Sequence, residues 1–210
     1  MDPSDLELFR QARFLTSAPD LARSPPDTGA EVAFAGRSNA GKSSAINALT
    51  NQRKLARTSK TPGRTRLINF FDLGGNRRLV DLPGYGYARV AQSVKQEWQR
   101  NLAHYLEARQ SLVGLVLLMD IRHPLQDSDR FLVGWAAAAE LPVHAVLTKA
   151  DKLRRGPALS VLHQLRKDLA SHPLATGQYL SSLRGTGIDE LATVLSGWLG
   201  PGEAADEEAP

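Results

Sequence analysis

The sequence predicts an α/β fold: a doubly wound, mostly parallel sheet of six strands, with one antiparallel edge strand and helices on both faces. Three observations predict it. Short, continuously apolar runs mark strands covered on both faces, amphipathic stripes of helical period alternate with them, and a glycine-rich loop follows the first run. In such folds ligands sit at the C-terminal ends of the strands, so functional motifs are expected in the loops that follow them.

The 210 residues suit one domain, and 42% hydrophobic against 23% charged residues supports a packed interior. The absence of cysteine excludes disulfides and thiolate metal sites and is compatible with a reducing compartment. The first fifteen residues hold Asp2, Asp5, Glu7, Arg10 and Arg13 and no long apolar block. They do not read as a secretory signal, and a cytoplasmic location is expected. The longest strongly apolar stretch, Leu112 to Met119, is far short of the ~18 residues of a membrane span. Net charge is +4, but four of the 22 acidic residues fall in the last ten, where nothing is basic, leaving the first 200 residues at +8. That balance suits either an RNA partner attracted through counterion release or simple solubility.

Residues 1–29, with Pro19, Pro25, Pro26 and Gly29, read as an irregular lead-in that lends Phe14 and Leu15 to the core. Residues 30–199 form the domain proper. Its expected strands are Glu31 to Ala35, Leu67 to Leu73, Arg77 to Asp81, Leu112 to Met119, Val143 to Leu147 and Gln178 to Ser181. Gly74-Gly75-Asn76 joins the second and third as an antiparallel hairpin. One helix carries Val94, Trp98, Leu102 and Tyr105 on a single face behind a capping box at Ser93 and Gln96. A second carries Leu159, Leu162, Leu165 and Leu169 with Pro157 in its first turn, and a third carries Ile188, Leu191, Leu195 and Trp198. Residues 200–210 open with Gly200-Pro201, a helix stop, and continue as an acidic tail expected to be disordered.

Gly36-Arg37-Ser38-Asn39-Ala40-Gly41-Lys42-Ser43 matches GxxxxGK[ST] between an apolar strand and a helical segment, the context of a P-loop. Gly36 and Gly41 let the backbone curl so that successive amides face phosphate oxygens, with the positive end of the following helix behind them. Lys42 would reach the β- and γ-phosphates and the Ser43 hydroxyl would ligate Mg²⁺. Asp81-Leu82-Pro83-Gly84 is a DxxG motif after a strand. Downstream of a P-loop, Asp81 suits a Mg²⁺ contact through water and the Gly84 amide suits contact with a γ-phosphate. Tyr85-Gly86-Tyr87 then supplies the flexibility of a switch. Thr148-Lys149-Ala150-Asp151 follows another strand, and a carboxylate at Asp151 can accept from N1–H and the 2-amino group of guanine, donors that adenine lacks. The Lys149 stem can cover the base face. Ser181-Ser182-Leu183 can bring amides to the guanine oxygen.

Between the P-loop helix and the next strand, Thr58 to Arg66 reads TSKTPGRTR, where spacing allows either Thr65 or Thr61 to complete a Mg²⁺ shell. Gly63, Arg64, Thr65, Arg66 and Leu67 count among the nucleotide-contacting residues. The loop Asn51 to Arg66 holds six basic residues and no acidic one, which suits contact with phosphate or RNA, or a solvated loop. These elements together predict a P-loop GTPase domain that binds GTP or GDP. A P-loop kinase or ATPase is disfavoured by Asp151, and a nucleotide sensor with negligible hydrolysis is the alternative. Lys42, Thr65 and Gly84 are the transition-state and switch candidates; no catalytic base is identified.

On GRSNAGKSS from Gly36, TPGRT from Thr61, INFF from Ile68, DLPGYGYA from Asp81, MDIRHPL from Met119 and TKAD from Thr148, the sequence resembles the EngB family of bacterial GTPases over roughly residues 10–200. The resemblance implies a role in assembly of the large ribosomal subunit, with rRNA or the particle as partner, and in normal cell division and septation. It also implies Thr65 rather than Thr61 as the Mg²⁺ ligand. Tyr85 stands where Ras-like proteins carry the glutamine that orients water, so intrinsic hydrolysis is expected to be slow. Asn39 stands where related GTPases ligate K⁺, giving either K⁺-stimulated turnover or a plain turn residue. A monomer is expected.

Overall fold

The computed structural model describes residues 3–56, 67–85 and 102–202. In chain order they form α1 (Pro3–Arg10), β1 (Arg13–Ala18), β2 (Ala30–Gly36), α2 (Lys42–Leu49), β3 (Ile68–Asp72) and β4 (Arg77–Asp81). Then come helical residues 102–108 (α3), β5 (Leu112–Asp120), α4 (Asp127–Ala138), β6 (Val143–Thr148), α5 (Arg155–Asp168), β7 (Ala175–Tyr179) and α6 (Ile188–Leu199).

Seven strands, not six, make one sheet in the order β1-β3-β4-β2-β5-β6-β7. β4, β2, β5, β6 and β7 run parallel, while β3 is antiparallel to both β4 and β1. The antiparallel strand therefore lies one place in from the edge, which β1 occupies. The lead-in is consequently not irregular throughout: Pro19, Pro25 and Pro26 all follow β1, and the strand escapes notice because an edge strand needs no continuous apolar run. Phe14 and Leu15 do not enter the core. They are 56% and 47% exposed, Phe14 lying edge-on to Phe71, and Leu8, Phe9, Ala12 and Ala18 are buried instead.

Alternation along β2 builds two core layers. Val32 and Phe34 face Phe9, Ile46, Leu49, Leu191 and Leu195 on α1, α2 and α6, whereas Ala33 and Ala35 face the layer holding Tyr105, Leu132, Leu162 and Leu165 on α3, α4 and α5. Helices thus cover both faces, as expected. The Gly74-Gly75-Asn76 hairpin is present, all three residues at positive φ (76°, 58° and 59°). Helix α4 has no counterpart in the sequence reading. β7 lies at Ala175–Tyr179 rather than Gln178 to Ser181, since its sequence ATGQY carries little apolar signal. The α5 stripe buries Leu162, Leu165 and Leu169 but leaves Leu159 45% exposed. Val94, Trp98, Ser93 and Gln96 lie outside the described residues, as does the tail beyond residue 202.

At the N-terminal end of β2 the wholly buried Glu31 carboxylate accepts hydrogen bonds from Arg78 Nε (2.6 Å), Arg109 Nε (2.9 Å), Arg109 Nη2 (2.6 Å) and the Tyr105 hydroxyl (3.0 Å). Arg109 also donates to the carbonyls of Pro25 and Pro26, and Arg78 to that of Thr28. Burial of a carboxylate is costly unless charged donors meet it, and here two guanidinium groups do. The cluster fastens the stretch before β2, and α3, to one end of the sheet. The opposite, C-terminal end is left to the motifs.

Candidate nucleotide site

Gly36, Asp81, Asp120 and Thr148 are the last residues of β2, β4, β5 and β6, and Ser181 follows β7, so the parallel strands deliver every described motif to one edge of the sheet. Between β2 and α2 the backbone turns through left-handed conformations at Asn39 (φ 63°) and Gly41 (φ 91°). Gly41 caps α2 without a side chain, and a Cβ there would stand 3.4 Å from Thr148. Glycine is thus favoured by its φ, with the next motif in van der Waals reach of the turn. Two P-loop amides are turned to protein oxygens: Ser38 N–H donates to Tyr85 O (2.8 Å) and Ala40 N–H to Arg37 O (2.9 Å).

The phosphate and base motifs are stitched together. Thr148 Oγ1 lies within hydrogen-bond reach of Ala40 O and of Met119 O (3.1 Å), so its one hydrogen is shared between the P-loop and β5. Lys149 at φ 57° sends its ammonium across to Asn39 O (2.6 Å) and Asp120 Oδ2 (3.0 Å). Its stem thereby spans from the base motif to the phosphate motif. Asp120 also takes a two-pronged contact from Arg122 (2.9 and 2.6 Å), which, with Lys149, holds its carboxyl far below the usual range. Asp151 sits on the 3-10 turn Ala150–Lys152, where Ser181 Oγ donates to Oδ1 (2.7 Å). That hydrogen bond, aided by the Lys152 and Arg184 charges, lowers the Asp151 pKa. The carboxylate is therefore ionised and acceptor-only at neutral pH, the state that recognition of an N–H donor pair needs.

Residues 31–149 match the family described as 50S ribosome-binding GTPase. The chain is also 56% identical, over 200 residues covering 95% of it and 94% of the relative, to the probable GTP-binding protein EngB of Tolumonas auensis. The chain belongs to the EngB family of GTP-binding proteins. The EngB relative from Pseudoalteromonas translucida is 57% identical over 197 residues, 92% of this chain and 88% of that one. Among solved structures, a probable GTP-binding protein engB aligns with a TM-score of 0.65 at 23% identity, covering 81% of this chain and 98% of that one. Era in complex with MgGDPNP and a segment of 16S ribosomal RNA aligns with a TM-score of 0.64 at 24% identity over 86% and 60%. These likenesses carry the fold, that of an α/β P-loop GTPase.

In this EngB-family chain, Lys42 Nζ is hydrogen-bonded to Asp81 Oδ1, and both side chains are largely buried, 12% and 6% exposed. Ser43 stands one residue along on the first turn of α2. A carboxylate and a hydroxyl are hard oxygen donors, and one carboxylate plus substrate phosphates is the way Mg²⁺ is ordinarily held, so these residues fit that ion. Among the described residues no cluster of three or more His, Cys, Asp or Glu side chains could enclose a metal on its own. Leu82, Pro83 and Gly84 continue from β4 beside the P-loop, with Leu82 N–H donating to Phe34 O (3.0 Å). Thr61, Gly63, Arg64, Thr65 and Arg66 lie outside the described residues, and Leu67 at their border is 39% exposed. Ser182 and Leu183 follow Ser181 on the surface, Leu183 being 81% exposed.

One expectation changes. Tyr85 is not part of a flexible stretch: it is 2% exposed, its hydroxyl donates to Asp129 Oδ1 (2.7 Å), and its backbone pairs with the P-loop. Gly86 and Tyr87 lie outside the described residues. Asp120, Arg122 and Asp129 were not legible as site residues, although Asp120 closes the most apolar run of the chain, a place where an acid has no packing role. No helix among the described residues is long and apolar enough to cross a membrane.

Proposed function

We infer that this chain is a Mg²⁺-dependent GTPase that hydrolyses GTP slowly and acts as a nucleotide-governed switch in assembly of the large ribosomal subunit. The observation that carries the reading is the ionised Asp151 carboxylate, held by Ser181 and joined through Thr148 and Lys149 to a glycine-turned P-loop. Asp151 accepts the two guanine donors, the Lys149 stem lies along the base, and amides at Ser181, Ser182 and Leu183 meet the guanine oxygen. With the Ser38 and Ala40 amides engaged by carbonyls, the cradle draws on Asn39, Gly41, Lys42 and Ser43. Lys42 exchanges Asp81 for the β- and γ-phosphates, a short swing for a flexible stem. Ser43, Thr65 and Asp81, the last through water, are the Mg²⁺ contacts, and the ion supplies charge neutralisation at the phosphate oxygens.

Chemistry in such a site is positioning and electrostatic stabilisation of a loose phosphoryl transition state. Tyr85 is turned into the core and cannot orient the attacking water, which supports a slow intrinsic rate and help from a partner. Lys42, Thr65 and Gly84 are the groups assigned in this reading to follow charge and γ-phosphate. A K⁺ ion at Asn39 belongs to the same reading; equal turnover in K⁺ and Na⁺ buffers would remove it. The ribosomal particle as partner, a cytoplasmic place of action and a contribution to cell division and septation rest on family resemblance and on the basic body of the chain.

The test is titration of the purified protein with GDP, GTP and ATP in Mg²⁺, followed by single-turnover hydrolysis with and without large-subunit particles. Guanine-selective binding and particle-stimulated hydrolysis are expected. Selective binding with no turnover in either condition would leave only a binding switch, and an ATP preference would overturn the reading.

A further inference from the structure

We propose that Tyr85 and Asp129 form a latch that positions the Gly84 amide, and so sets how strongly the protein prefers a triphosphate over a diphosphate. The proposal rests on the guanine-nucleotide reading above and adds two positioning residues to it. Gly84 lies between two rungs of hydrogen bonding to the P-loop strand. Upstream, Leu82 N–H donates to Phe34 O at 3.0 Å; downstream, Tyr85 N–H donates to Gly36 O at 3.3 Å and Tyr85 O accepts from Ser38 N–H at 2.8 Å. The segment runs close enough that a Cβ on Gly84 would stand 3.4 Å from Ser38 Cα.

The downstream rung needs a further support. At 3.3 Å the Tyr85–Gly36 bond is past the usual length, so of the two backbone bonds at residue 85 only the one from Ser38 is tight. The side chain supplies the grip: a 2%-exposed ring in the core layer under α3 and α4, with its hydroxyl 2.7 Å from Asp129 Oδ1. Asp129 is wholly buried and is itself fixed, because Oδ2 accepts Gln126 N–H (2.9 Å) in the capping box that starts α4. A chain of fixed contacts therefore runs from α4 through Asp129 and Tyr85 to the peptide after Gly84. The P-loop and Asp151 hold what GDP and GTP share, whereas the Gly84 amide meets only the γ-phosphate. Loosening the latch should thus weaken GTP binding and spare GDP binding.

Two variants test this by titration with GDP and with a non-hydrolysable GTP analogue in Mg²⁺. Tyr85→Phe keeps the ring and deletes the donor. Asp129→Asn leaves one acceptor for the two donors, Tyr85 hydroxyl and Gln126 N–H. In Tyr85→Phe the ratio of analogue to GDP affinity should fall severalfold, up to about tenfold, from the wild-type ratio, since the worth of the hydrogen bond is the ceiling on its differential effect, with GDP affinity unchanged. Asp129→Asn should shift the ratio the same way by a smaller factor. Leu165→Ala, a core lesion on α5 against β7, should leave the ratio unchanged. Equal loss of both affinities, or an unmoved ratio in a folded variant, would overturn the proposal. Failure of the wild-type protein to bind either nucleotide would instead overturn the guanine-nucleotide reading itself.

Discussion

Replacing Asp151 by asparagine changes one atom and should cost most of the guanine affinity. One carboxylate oxygen of Asp151 already takes the Ser181 hydroxyl, and the remaining acceptor capacity is what guanine's N1–H and 2-amino group would use. Asparagine has a single oxygen and a donating NH₂ group. If the oxygen stays with Ser181, NH₂ faces two guanine donors; if the amide flips, Ser181 loses its acceptor and guanine gains one contact instead of two. A hydrogen bond to a charged group is worth about 1.5–3 kcal/mol, and the two at the base are not additive. A loss of about 3 kcal/mol is therefore expected, or ~150-fold in Kd. Fluorescence titration with a labelled GDP measures it. Ser181→Ala should give a smaller loss, since it removes only the group that orients and stabilises the carboxylate. Because the Asp151 pKa is lowered, the charged form persists as pH falls into the ordinary carboxylate range, and wild-type selectivity should be flat from about pH 8 to about pH 5. Wild-type GDP affinity in Asp151→Asn would refute the reasoning, whatever happened to stability.

Lys42→Ala should abolish tight GTP binding and turnover, because the phosphates lose their pre-placed cation, and should also lower stability, because the buried Asp81 carboxylate loses its ion-pair partner; unchanged affinity by the same titration would contradict the P-loop role. Glu31→Ala should lower stability by about 3–5 kcal/mol, since it strands two buried guanidinium groups; urea denaturation reads this, and a shift under about 1 kcal/mol would show the cluster to be dispensable. Deleting residues 201–210 should leave the melting temperature and GDP affinity unchanged, because the last helix ends at Leu199 and Gly200 O already receives Arg77.

What the sequence disclosed follows from how locally each feature is encoded. The P-loop, DxxG, TKAD and the Gly74-Gly75-Asn76 hairpin each sit within eight residues, and the chemistry of phosphates, guanine or positive φ dictates their composition. The strands β2, β5 and β6 were nearly as plain, because burial on both faces forces largely apolar runs, while β4, with only Leu79 and Val80 apolar, was placed by the hairpin before it and the DxxG motif that begins at its last residue. β1 and β7 were missed or misplaced since edge strands are half solvated, and the Phe14-Leu15 pair misled because hydrophobicity alone does not say which side of an edge strand meets the core. Tyr85 and Asp129 lie 44 residues apart, and no local pattern pairs a tyrosine after a glycine with an acid inside a helix cap. The same holds for Lys149 and Asp120, whose contact exists only once β5 and β6 lie side by side.

The Glu31 cluster bears on mechanics as well as stability. Through Arg109 and Tyr105 it roots α3 in the strand that leads to the P-loop, while Tyr85 is rooted in the same strand's other end through Gly36. Whatever course the sixteen residues between 85 and 102 take, both their moorings belong to one stiff ribbon of the sheet. Force applied at residue 85 or at residue 102 is therefore delivered lengthwise to one strand, where the hydrogen bonds to β4 on one side and β5 on the other resist it in shear.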